Sequence, residues 1–159
     1  MRVAALRTFE GGPPLGEGEL TSFEKEHGLC LPAAYREFLL ATNGGRPERD
    51  LLTIPGLSGN SVGRIHVFFG LKDPVESCNL DWNLAVFRDR IPASQLPIAT
   101  TEGVDKVCLA VTGESAGAVF YWDGYAQAGE RNLYFLAADF ASFIASLQKD
   151  ELSPRMRAS

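Results

Sequence analysis

The chain has 159 residues, 45% of them hydrophobic and 22% charged, which is one domain's length with a near-average globular composition and excludes a fibrous or disordered protein. Lys and Arg number 15 against 20 Asp and Glu, a net charge of -5, which disfavours non-specific binding to nucleic acid or anionic lipid and favours a basic partner. The longest apolar runs, such as Leu133 to Ala138, stop far short of the roughly 20 residues that cross a bilayer.

The N-terminus has two arginines and only a short apolar stretch before Glu10 and Gly11. It lacks the apolar region of a secretory signal, so a cytoplasmic location is expected. The breakers of Gly11 to Gly18 set off residues 1–18 as an arm, loose or an edge strand, ahead of a domain over 19–150 and a frayed tail over 151–159. Leu20, Phe23 and His27 recur at helical spacing and Gly28 follows where a left-handed residue closes a helix. Pro32 suits the first position of a second helix with Tyr35, Phe38, Leu39 and Thr42 on one face, and Asn43-Gly44-Gly45 stops it.

Leu51 to Ile54 and Arg64 to Phe69 read as strands, with the turn-rich Gly56 to Gly63 between them as a loop. Ser77 or Asn79 can cap a third helix whose inward stripe is Leu80, Leu84, Phe87 and Ile91, until Pro92 stops it. Leu96 to Thr100, Lys106 to Val111, Ala118 to Trp122 and Leu133 to Leu136 are strands, and the short spacings of the first three suggest an antiparallel meander. Asp139 lies in the first turn of a last helix with Phe140, Phe143, Ile144 and Leu147 on its apolar stripe. Helices on either side of a block of strands, without alternation, point to an α+β fold with a central, mainly antiparallel sheet.

Catalytic patterns fail on context. His27 reads as a helix-end residue and His66 as a solvated strand residue, and neither has metal-ligand spacing. Ser115 stands at the third position of GESAG, but a strand and not a helix follows Gly117, and no later histidine completes a triad, so a hairpin turn is expected there. Cys30, Cys78 and Cys108 are odd in number, widely spaced and free of any CxxC, which points to reduced core or semi-buried thiols. No enzyme activity, cofactor or metal is expected. The arginines are too dispersed for a nucleic-acid surface.

The run Leu31 to Pro47, LPAAYREFLLATNGGRP, resembles the LPxxYxxFLxxxNGG signature of the SUKH superfamily of Smi/Knr-type cell-wall regulators and their bacterial relatives. The acidic helix LTSFEKEHG, the segment RDRIPASQLPIAT, the strands KVCLAV and GAVFYWD and the closing helix stand in that family's order, covering roughly Glu19 to Lys149. One departure is Gly103-Val104-Asp105, where many members have a Gly-Asp or Gly-Asn turn. The resemblance implies an α+β scaffold without a cofactor, and a cytosolic immunity protein that binds a cognate polymorphic or contact-dependent toxin, such as a nuclease or deaminase. The alternative it implies is an intracellular interaction or regulatory module. A protein toxin with a basic surface is the expected partner, with no nucleic acid and no membrane.

The residues suggest where that partner docks. If the third helix turns Leu80, Leu84 and Phe87 inward, then at 100° per residue Trp82 and Asp89 lie on its far side with Val86 beside them. Trp82 ringed by Asp81 and Asp89 is the expected binding centre, with Asp73, Glu76 and Asp123 on the same acidic rim.

Overall fold

The computed structural model describes residues 6–57 and 60–149. Its centre is a six-stranded antiparallel meander, β3 (Leu51–Pro55), β4 (Asn60–Phe68), β5 (Gln95–Thr101), β6 (Lys106–Ala110), β7 (Val119–Trp122) and β8 (Leu133–Ala137), each strand bonded to the next in sequence. Two helices precede it, α1 (Glu17–His27) and α2 (Ala33–Thr42); α3 (Leu80–Val86) lies between β4 and β5, and α4 (Phe140–Ser146) closes the chain. A two-stranded ribbon pairs β1 (Thr8–Phe9) with β2 (Arg46–Pro47) and joins the edge of β4 through Gly45 and Phe68. The described residues form a single α+β domain, with four helices around a mostly antiparallel sheet of 6 strands.

Strand alternation sorts the side chains into two cores. Val107, Leu109, Val119, Tyr121 and Tyr134 face the main core with Leu20 and Phe23 of α1, Tyr35, Phe38 and Leu39 of α2, and Phe140, Phe143 and Ile144 of α4. Aromatic edges lock it: Phe38 meets Phe68 at 5.0 Å and Phe140 at 5.2 Å between ring centres. The alternate positions Cys108 and Trp122 face the opposite side, where Ile91 and Phe87 cover them.

The helix ends follow the expected chemistry. Gly28 closes α1 at φ 63° and Asn43 closes α2 at φ 47°. Pro32 and Asp139 each sit one residue earlier than expected, as the residues flanking α2 and α4. Thr42 is half-buried, its hydroxyl donating to the Phe38 carbonyl.

Four expectations need correction. The second half of the Gly56 to Gly63 loop is strand: Ile54 pairs with Ser61 and Leu52 with Gly63. The polar start of β4 carries no apolar alternation to betray it. Gly63 packs closely there: a Cβ would come within 3.1 Å of Ile54 Cδ1, which would have to shift by a few tenths of an ångström. The third helix ends at Val86, so Ile91 reaches the second core from the connection to β5 and Asp89 lies in a turn, off any helix face. Asn79 precedes α3 but does not cap it with its side chain, which bonds Asp73 instead; Asn83, 1% exposed, holds the helix entrance by donating to the Ser77 and Asn79 carbonyls. Cys30 is exposed, since its neighbours Leu29 and Leu31 turn inward in the α1–α2 connection; Cys78 is half-buried and Cys108 buried. The tail expected over 151–159 and residues 1–5 of the arm lie outside the described residues.

Candidate functional site

Helix α3 forms a ridge with a hollow on either flank. One hollow, of about 390 Å³, runs between α3 and the end of α1, with His27, Leu84, Phe87, Ile91, Pro97 and Val111 among its walls. The other, of about 440 Å³, lies between α3 and the outer face of β4, β5 and β6, and there Trp82, Phe87, His66, Thr100 and Lys106 converge. Val86, half exposed, is at the end of the ridge.

The expected partner residues divide between these flanks. Trp82 is half-buried and lines the second hollow with Asp73 and the exposed Val75. Asp73 is engaged locally, its Oδ1 accepting the Val75 N–H at 2.8 Å. Glu76, in the short 3-10 turn Glu76–Cys78, is exposed. Asp81 faces the other way: its Oδ1 is 3.4 Å from His27 Nε2, linking α3 to α1. It does not ring Trp82, because successive helix residues diverge by 100°. Asp123, just after β7, accepts the Tyr125 N–H at 2.9 Å. Trp82 and Asp73 therefore share a surface, while Asp81 belongs to the opposite flank.

Glu26, His27 and Asp81 present ligand atoms within 4.8 Å of one another, the closest approach to a metal-ligand set among the described residues. His27 Nε2 lies 3.5 Å from Glu26 and 3.4 Å from Asp81, yet neither contact has hydrogen-bond geometry. These groups are half or more exposed apart from His27, and they tie two helices together. Ser115 occupies the exposed turn between β6 and β7, as its hairpin context implies.

The side chain that the sequence reading passed over is Lys106. It opens β6, a strand buried at every position, and is itself only 5% exposed. Nζ donates to the Val104 carbonyl at 2.6 Å and rests 4.6 Å from the centre of the Phe87 ring. Burial pulls its pKa below the usual lysine value. The neighbouring Asp105 is committed elsewhere, accepting the Tyr121 hydroxyl at 2.5 Å and the Gly124 N–H at 2.8 Å. Burial, and then this bond, raise the Tyr121 pKa. A charged residue at the head of an otherwise apolar strand was the available signal; its burial depends on α3, which lies across it.

A model of the SMI1 / KNR4 family (SUKH-1) matches residues 14–146 of the chain. The SPbeta prophage-derived uncharacterized protein YokK of Bacillus subtilis (strain 168) is 24% identical over 144 residues, covering 81% of this chain and 72% of the relative. A crystal structure of a protein from Pseudomonas syringae pv. tomato shares the fold, with a TM-score of 0.50 and 21% identity over 74% of each chain.

Proposed function

Because the chain belongs to the SMI1 / KNR4 family (SUKH-1), known for immunity proteins of polymorphic toxin systems, we propose that it is a cytosolic immunity protein. It binds one cognate protein toxin and occludes its active site or substrate channel. The observation that carries the reading is the α3 ridge: a half-buried Trp82 lining a hollow, with the exposed apolar Val75 and Val86 around it. Such an aromatic anchor beside a pocket is the usual centre of a protein interface. The net charge of -5 suits a toxin whose surface is basic, as a nuclease's is. Among the described residues no helix is long and apolar enough to cross a membrane.

The test is co-expression with the toxin domain encoded beside this gene. Rescue of growth and a complex isolated with that domain are expected. A folded Trp82→Ala variant should bind it about 30-fold more weakly, equivalent to about 2 kcal/mol. Unchanged affinity in that variant rejects the α3 ridge as the interface, with Asp73 and Glu76 at its rim. If no toxin gene adjoins and no toxin is neutralised, the regulatory module is the better reading.

A further inference from the structure

Lysine is almost never fully buried without a carboxylate, because an uncompensated charge in a low-dielectric interior is costly. Lys106 makes no ion pair with a carboxylate among the described residues. Its ammonium has three donors, of which the structure engages one, at Val104. The acids nearest the same hollow are occupied: Asp105 by Tyr121 and Gly124, Asp73 by Val75, and Glu10 by Arg46 at 3.1 Å. Asp105 is a negative charge near Lys106 that makes no ion pair with it, and Arg90, stacked at 5.0 Å on Trp122, adds a second positive charge nearby.

The sheet places further polar groups beside this ammonium. Thr100, whose hydroxyl donates to the Thr101 carbonyl, and Trp122 are the residues directly opposite Lys106 on its two neighbouring strands. His66 is the extra residue of the bulge in β4 next to Thr100, turned outward between the buried Ile65 and Val67. Trp122 is 2% exposed, and its indole N–H has no acceptor. His66 and Thr100 line the hollow with Lys106 beneath Trp82 and Phe87, while Trp122 packs against Phe87 in the second core. The unmet capacity of the hollow is that of the Lys106 ammonium, for hydrogen-bond acceptors and negative charge.

We propose that the hollow between α3 and β4–β6 is a carboxylate site, in which an Asp or Glu side chain of the partner protein pairs with Lys106 under Trp82. This rests on the reading of the α3 ridge as the partner surface and adds the chemistry it recognises: a single acidic side chain on a partner that is otherwise basic. An acid seated there would meet a partly desolvated ammonium, whose hydrogen bonds to a carboxylate are stronger than neutral ones. The aromatic walls would exclude water around the pair.

The test needs no toxin. The protein is titrated with N-acetyl-glutamate amide, its glutamine analogue and inorganic phosphate, while the Lys106 side-chain and Trp82 indole NMR signals are followed. Saturable shifts with the glutamate compound alone are expected, and their loss in Lys106→Met. Absence of saturation by the carboxylate, an equal response to the glutamine compound, a response to phosphate alone, or persistence in the variant would overturn the site. Thermal unfolding gives a second measure. Removing a buried ammonium that has no ion-pair contact should leave the Lys106→Met melting temperature equal to or above that of the parent, whereas a lysine retained for packing would lower it. Failure of the titration rejects the carboxylate site and leaves toxin neutralisation to be judged by its own rescue assay.

Discussion

At the scale of single residues, two side chains show how burial and bonding divide the work of stability. Phe38 is 4% exposed and meets Phe68 and Phe140. Phe38→Ala should cost about 3 to 5 kcal/mol in urea denaturation, the price of a cavity that rings on three elements cannot close. A cost within about 1 kcal/mol would contradict this packing. Asn43 acts differently. It is 2% exposed, donates to the Pro13 and Leu71 carbonyls at 2.7 and 2.9 Å, and accepts the Leu71 N–H at 2.8 Å, so one side chain fastens the N-terminal arm and the segment after β4 to the end of α2. Asn43→Ala should cost about 4 kcal/mol, roughly 1 for each hydrogen bond and about 1 for holding alanine in a left-handed backbone. Asn43→Gly, which tolerates the φ of 47°, should recover only about 1 kcal/mol of that; full recovery would show that backbone conformation and not bonding is the role of Asn43.

Among the elements, the short α3 and α4 are stable because tertiary packing, and not intrinsic propensity, holds helices of this length. Asp139 contributes locally, its Oδ1 accepting the Ser142 N–H at 2.7 Å, and that bond holds its carboxyl below the usual aspartate range. A carboxylate whose folded pKa is depressed stabilises above its unfolded value of about 3.9, and the contribution disappears as pH falls through the folded value. Asp139→Ala should therefore cost about 1 kcal/mol near neutral pH, and the difference from the parent should shrink below about pH 4. Thermal unfolding of both proteins across pH measures it; a difference independent of pH would mean that Asp139 does not act through its charge. The pairing of β3 with β4 is the counterpart in the sheet, where Gly63 lets Ile54 lie close against the neighbouring strand.

For the whole molecule, the net charge of -5 sets how a partner arrives more than how tightly it stays. If the partner is basic, its association rate should fall roughly tenfold as salt is raised, with a smaller change in dissociation. Stopped-flow mixing at several ionic strengths distinguishes this; a rate indifferent to salt would argue against electrostatic steering. The asymmetry of the two sheet faces matters here as well. One face is filled by three helices, while α3 and the connection to β5 cover the other only in part. The hollow beside Trp82 is the uncovered remainder.

Much of this was legible along the chain because its causes are local. Leu20 and Phe23, or Tyr35 and Phe38, declare a helix face by their spacing, and Gly28 and Asn43 mark the ends by the backbone they tolerate. The apolar strands β5 to β8 were equally plain, and the run Leu31 to Pro47 with the ordered segments after it pointed to the SMI1 / KNR4 type of fold. Contacts between distant segments decided the rest. Extrapolated periodicity carried α3 on to Ile91, but the chain leaves the helix at Phe87 to reach Trp122, 35 residues further on. Helical geometry separates Asp81 from Trp82, but only the position of α1 shows that Asp81 meets His27. The apolar strand that follows Lys106 hints at its burial but does not decide it: that required β5 and β7 on either side and the end of α3 above it, because desolvation depends on everything packed around a group, wherever it lies in the sequence.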